Sequence, residues 1–168
     1  MATKERTEDP VDRNMAEWPV ELEGIDLDVE AAVQRMQRIV KAIARRMDET
    51  LGEFDLSQGE WWVLAHLTWN GPPYRSSPTK LAEKHGLSSG AMTNRLDRLE
   101  QAGLIRRQPD PNDRRALHVE LTDKGHQVWT DALNAQASKE AVLASSLNQR
   151  ELQQLNNLLR KVLLEFER

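Results

Sequence analysis

Between Ser77 and Leu121 the hydrophobic pattern passes from helical to extended, and that succession leaves few folds open to the chain. Ser77-Pro78 sets a capping serine before a proline suited to the first helical position, and His85-Gly86 ends that short helix. Leu87-Ser88-Ser89 opens another, which Ala102-Gly103 closes with glycine at the C-terminal cap. Two short helices joined by a tight glycine turn form a helix-turn-helix candidate. Beyond it, 104–107 and 116–121 flank a stretch rich in turn residues, and Val119 and Leu121 alternate with polar neighbours as a half-buried strand does. The pattern predicts a two-stranded wing.

The flanks are helical. From Asp28 to Phe54 the residues Val29, Val33, Met36, Ile39, Val40, Ile43, Met47 and Leu51 recur mostly at helical spacing. So long a stripe in a small chain favours oligomerisation over packing within one compact domain. Ser57 can cap a helix running through Trp61, Val63, Leu64 and Leu67 to Trp69, stopped by Asn70-Gly71-Pro72-Pro73. Thr122 caps a long helix towards Ala144. Asn148, with Glu151 three residues on, starts a last helix striped by Leu152, Leu155, Leu158, Leu159, Val162, Leu163 and Phe166. The expected fold is mainly α: a winged helix-turn-helix, with a three-helix core and a two-stranded β wing, between long N- and C-terminal dimerisation helices. Its divisions are a flexible polar tail over 1–14, N-terminal helices for dimerisation and a pocket wall over 15–56, a DNA-binding region over 57–121, and C-terminal dimerisation helices over 122–168.

Composition narrows the function. Cysteine is absent, which excludes disulfides, thiol redox switches and Cys-ligated zinc or iron-sulfur sites. No apolar run approaches the ~20 residues that span a bilayer, and the charged N-terminus lacks a signal-peptide core, so a cytoplasmic location with no membrane partner is expected. A net charge of -4 looks unsuited to a nucleic-acid binder until it is divided along the chain. Residues 1–30 hold ten acids against three bases, whereas residues 75–118 hold nine Lys/Arg against five Asp/Glu. The basic segment coincides with the helix-turn-helix and wing.

The order of motifs there is specific. Leu81-Ala82 lies in the first short helix, Ser88-Ser89-Gly90-Ala91-Met92-Thr93-Asn94-Arg95-Leu96-Asp97-Arg98-Leu99-Glu100 forms the second, and Gly103-Leu104-Ile105 follows. Asp113-Arg114-Arg115 and Leu121-Thr122-Asp123-Lys124-Gly125 close the run. In this order the segment resembles the reading head of the MarR (multiple antibiotic resistance regulator) family, and the flanking helices extend the resemblance over most of 28–168. The resemblance implies a homodimeric regulator of transcription, expected to be a repressor, on double-stranded DNA.

The chemistry of the residues points the same way. With Leu96 and Leu99 turned to the core, Ser89, Gly90, Thr93 and Asn94 are left on the exposed leading face, where small polar groups can approach base edges and asparagine can pair with adenine. A merely solvated face usually carries Lys and Glu. In the family the Asp-Arg pair of the wing directs an arginine into the minor groove; here Asp113 would orient Arg114 or Arg115, which a narrow groove attracts electrostatically. Lys80, Lys84, Arg75 and Arg98 are phosphate candidates, and Ser88 belongs to the same face.

The chain also resembles the urate-responsive branch of the family, through Trp18 in an added N-terminal helical segment, Glu60-Trp61, Asn94-Arg95 and Arg107 at the start of the wing. That branch has an acid directly after the residue matching Trp61, which pairs with the arginine matching Arg107; this chain has Trp62 there. Trp18, Trp62, Arg95 and Arg107 are therefore the candidate ligand residues. Without the acid, Arg107 is expected to lack its partner, and indole faces with arginines suit a small, planar anion. Trp61 reads as core; for Trp62 and Trp18 packing and ligand contact are open alike.

An enzyme is not expected. His66, His85, His118 and His126 fall on four elements without paired spacing, so they read as surface or packing residues, with no catalytic site, metal or cofactor. The alternative is a helical interaction protein that has lost DNA binding, against which the wing arginines stand.

Overall fold

The computed structural model describes residues 8–18, 24–109 and 117–168. They form two compact units, Met1–Arg46 and Met47–Arg168, that divide within a long helix.

In the first unit, helix α1 (Pro10–Ala16) begins where a flexible tail was expected through residue 14. The local chemistry explains it. The Asp9 carboxylate accepts from the Val11 and Asp12 amides, Asp12 returns a bond to the Asp9 amide, and Pro10 occupies the first turn without a donor to lose. Helix α2 (Leu27–Gly52) contributes Arg35, whose guanidinium bonds both Asp9, at 2.8 Å, and Asp12. This contact holds the Asp9 carboxyl down to about 2.

The second unit contains the head. Helix α3 (Gln58–Trp69) starts at Ser57, whose hydroxyl accepts from the Glu60 amide while Glu60 reaches back to the Ser57 amide at 2.8 Å. A short strand β1 (Arg75–Ser76) leads into α4 (Pro78–Lys84), capped by Ser77. Gly86, at φ +60°, turns the chain to α5 (Ser89–Gln101), capped by Ser88, and Gly103, at φ +71°, ends it. Strands β2 (Ile105–Pro109) and β3 (Leu117–Leu121) follow.

The sheet has three strands in the order β1-β3-β2, both pairings antiparallel. The sequence pattern predicts β2 and β3; β1 escapes it because two residues, one exposed, carry no alternation. Helices α6 (Asp123–Ser146) and α7 (Gln149–Phe166) complete the unit. The Thr122 hydroxyl accepts from the Gly125 amide at 3.0 Å, and Asn148 with Glu151 forms the expected capping box.

The core of this unit joins Leu64 and Leu67 of α3, Leu81 of α4, Met92, Leu96 and Leu99 of α5, Ile105 and Val119 of the sheet, and Trp129 of α6. Each of these is at least nine-tenths buried. At roughly 1.5–3 kcal/mol per large apolar side chain, this packing, more than helix propensity, fixes α5 in place. Among the described residues no helix is long and apolar enough to cross a membrane.

Candidate nucleic-acid interface and ligand pocket

Helix α5 has one buried and one open side. Met92, Leu96 and Leu99 are each 1% exposed, whereas Ser89, Gly90, Thr93 and Asn94 face solvent. Ser88 uses its hydroxyl to accept from the Ala91 amide at 3.3 Å, so it caps the start of the helix as well as flanking the open face. Thr93 donates to the Ser89 carbonyl at 2.9 Å, while the side chains of Ser89 and Asn94 on that face make no hydrogen bond among the described residues. Lys80 is exposed on α4, one helix away. Asp113, Arg114 and Arg115 lie outside the described residues, between β2 and β3.

Arg98 is already engaged. Its Nε lies 3.0 Å from an oxygen of buried Glu60, so the residue ties α5 to the start of α3 besides facing solvent. Arg107 corrects the sequence reading more sharply. Far from lacking a partner, its Nη1 lies 2.6 Å from Asp97 and 2.9 Å from Glu100, and its Nη2 donates to the Thr93 carbonyl. Its backbone amide also donates to Glu100 at 2.9 Å. Asp97 and Glu100 are three apart, hence neighbours on the face of α5 that meets β2. Arg107 is thus paired within the head without an acid at position 62.

Arg95 is half-buried and lies over Gly59 of α3: a Cβ built at Gly59 would fall 2.4 Å from the Arg95 guanidinium carbon. Gly59 was not singled out from sequence. The available signal was a glycine in the first turn of a helix, where no turn geometry requires one. Trp18, half-buried, follows the C-terminal end of α1 in the first unit, its amide donating to the Met15 carbonyl at 3.2 Å.

The tryptophans of α3 separate into core and surface. Trp61 is buried and stacks on Trp129 at 6.4 Å, as expected of a core residue. Trp62 is 41% exposed, with Trp69 set edgewise to it at 5.7 Å. These two rings, with His66, Lys84 and His85, line a cavity of about 400 Å³ that includes neither Arg95 nor Arg107. The His66 and His85 rings are 6.0 Å apart, although their places in the sequence suggest no pairing. Burial, reinforced by Lys84, holds the His66 pKa below its ordinary value. Burial also lowers His85, aided by His66, Arg95 and Lys84. Among the described residues no cluster of His and acidic groups could hold a metal ion.

Helix-turn-helix, three-stranded wing sheet and long flanking helices together define a winged-helix protein. The model of the MarR family matches residues 56–117. Over 146 residues the chain is 31% identical to the helix-turn-helix transcriptional regulator PecS of Dickeya dadantii, covering 87% of this chain and 88% of that one. Among solved structures, the YusO protein of Bacillus subtilis aligns with a TM-score of 0.70 at 26% identity, over 82% of this chain and 96% of that one. A mutant MarR from E. coli complexed with operator DNA aligns with a TM-score of 0.63 at 26% identity, over 81% and 96%. The chain belongs to the MarR family and is a transcription regulator of that class.

Proposed function

We propose that this regulator binds a pseudo-palindromic operator as a homodimer, acts as a repressor, and is released by a small, planar anion. The observation that carries the DNA reading is the open face of α5: a helix anchored by Met92, Leu96 and Leu99 that presents Ser89, Gly90, Thr93 and an unengaged Asn94. Such a face fits a major groove, where asparagine reads adenine and the small neighbours allow close approach. Lys80 and Ser88 flank it, and the segment holding Asp113, Arg114 and Arg115 would reach the minor groove. The similarity to a protein solved on operator DNA supports the same reading.

Dimerisation is supported by apolar side chains left uncovered on the terminal helices, Ile39, Val40 and Ile43 of α2 and Leu159, Val162 and Leu163 of α7. The ligand reading rests on the cavity beside Trp62, where two indoles offer flat surfaces and Lys84 a cation. A shift towards a DNA-incompetent state follows if the ligand binds that state better.

The test is protection of promoter DNA across a salt series. Half-sites about one helical turn apart, ~34–36 Å, and an affinity that falls steeply with salt are expected. Asn94→Ala should alter base preference more than overall affinity, while Arg114→Ala with Arg115→Ala should weaken binding to every sequence. Absence of salt-sensitive protection points instead to a helical interaction protein without a DNA role, and a complex unaffected by either change removes Asn94 and the wing arginines from the interface.

A further inference from the structure

A larger cavity, of about 850 Å³, lies against the outer side of the head, where α3, β1, α4 and β3 meet. We propose that it is a binding site for a small multivalent oxyanion, of the phosphate or di- and tricarboxylate class, held by Arg75 of β1, Lys80 and Lys84 of α4, and His118 of β3. Neither the operator nor the planar ligand of the Trp62 cavity is required by this inference, and binding to the free protein suffices to judge it.

The three cations come from two consecutive elements, and none is ion-paired among the described residues. Glu83 is the single acid on the lining, so the cavity keeps a net positive charge. Cations that outnumber the acids on a concave surface repel one another, and that repulsion is relieved by an anion that bridges them.

His118 is the independent observation. Its side chain is 8% exposed, and both ring nitrogens are buried without a hydrogen-bond partner. The nearest carboxylate, Glu120, is 3.7 Å from Nε2 and is taken by Arg106 at 2.5 Å. A neutral imidazole carries one donor and one acceptor, and leaving both unmet in the interior is uncommon and costly. His118 lines the cavity, and a small rotation of the ring that turns a nitrogen towards it lets an oxyanion accept from the ring N–H.

The lining is polar apart from imidazole faces: Ser76, Ser77 and Asn70 accompany the charged groups. That favours a hydrophilic anion over the planar, stacking ligand suited to the neighbouring tryptophans. The elements joined are the first helix of the helix-turn-helix and, through the β1–β3 pairing Arg75↔Glu120 and Ser76↔Val119, the second strand of the wing.

The experiment uses the full chain without DNA. Thermal unfolding is followed while citrate or inorganic phosphate replaces sodium chloride at constant ionic strength and pH, with acetate as the compact monoanion control. Citrate is expected to raise the midpoint at millimolar concentration and acetate to do so far less, because a ligand that prefers the native state stabilises it by mass action. Multivalent anions also stabilise proteins unspecifically. The deciding comparison is therefore Lys80→Gln with Lys84→Gln, both exposed positions that should leave the fold intact. The double variant should need at least tenfold more citrate for the same shift, and the His118 ring resonances of the parent should move with citrate. Identical citrate responses in parent and variant, or a His118 ring that does not respond, overturn the proposal. In a separate DNA titration, a variant whose only change is weaker, less salt-dependent DNA binding also overturns it, because the lysines then serve DNA phosphates.

Discussion

The Glu60 carboxylate lies 3.0 Å from Arg98 Nε, which makes the cap of α3 and the anchor of α5 a single contact. One oxygen of Glu60 bonds the Ser57 amide at the start of α3, and the other receives the guanidinium from the last turns of α5. Glu60 is 8% exposed on its side chain, so its charge is costly to leave unpaired, whereas Arg98 is 64% exposed and can find water.

An asymmetric mutational result is expected from that difference. Glu60→Ala removes both cap and tie and should cost about 1–2 kcal/mol. Arg98→Ala should cost less, because Ser57 still bonds the carboxylate. Denaturant unfolding of both variants and the double variant gives the coupling; strict additivity would mean that the ion pair contributes nothing.

Gly125, in the Leu-Thr-x-x-Gly motif, yields a second expectation. A Cβ there would fall 2.0 Å from the Leu104 carbonyl oxygen, which is backbone and cannot swing aside. Gly125→Ala should therefore destabilise by ~1–3 kcal/mol, although alanine is the better helix former. A thermal midpoint equal to or above the parent's would show that α6 can withdraw from the β2 entrance without loss.

These contacts mark how far the sequence could be read. Caps at Ser57, Ser77 and Asn148 were legible because a serine or asparagine next to a helical pattern has one good local use. The open face of α5 was legible for a related reason, since helical spacing alone turns Leu96 and Leu99 inward. The partners of Arg107 were not: Asp97 and Glu100 become partners only because β2 runs beside α5, a tertiary fact that no spacing encodes. His66 and His85 likewise approach through the packing of α3 against the end of α4. The added N-terminal helix was placed too late, with 10–14 read as tail, because α1 is polar and charged and lacks an apolar stripe, while its cap at Asp9 is reinforced by Arg35 from another helix.

The histidine pair makes stability depend on pH in a defined direction. Both His66 and His85 have folded-state pKa values below the ordinary 6.5, burial being the main cause. As pH falls through about 6.5 the unfolded chain takes up protons that the folded chain resists, so stability present above that pH is lost towards the lower folded values. Thermal midpoints should drop between pH 7.5 and 5.5. His66→Gln with His85→Gln should flatten that drop, and His85→Gln alone should flatten part of it; a parallel decline in parent and variants would place the sensitivity elsewhere.

Assembly is testable on α7. Leu159 and Val162 are 44% and 41% exposed, and Leu163 is 56% exposed, in a helix with no buried residue. Burying each such side chain between subunits should be worth roughly 1.5–3 kcal/mol before entropy is deducted. Leu159→Glu with Val162→Glu should convert a sedimenting dimer to monomer, while a variant that associates as tightly as the parent removes α7 from the interface.

The planar-anion pocket allows the resemblance and the structure to be told apart, because they assign its cation differently. By resemblance Arg107 is the anion receptor, yet its guanidinium is held by Asp97 and Glu100. Lys84 stands with Trp62 and Trp69 around the cavity. A benzoate-class ligand there should stack on Trp62, quench tryptophan fluorescence and release DNA. Lys84→Gln should weaken binding about tenfold, the equivalent of one charge-assisted hydrogen bond near 1.4 kcal/mol, and Trp62→Leu should remove most of the quench. Arg107→Ala should leave ligand affinity nearly unchanged while lowering stability, since it strands two carboxylates on α5. Titrating the parent and the three variants with benzoate and with urate, following fluorescence and DNA release together, decides the matter. If Arg107→Ala abolishes the response and Lys84→Gln does not, the anion enters by displacing Asp97 and Glu100 from Arg107, and Trp62 returns to a packing role.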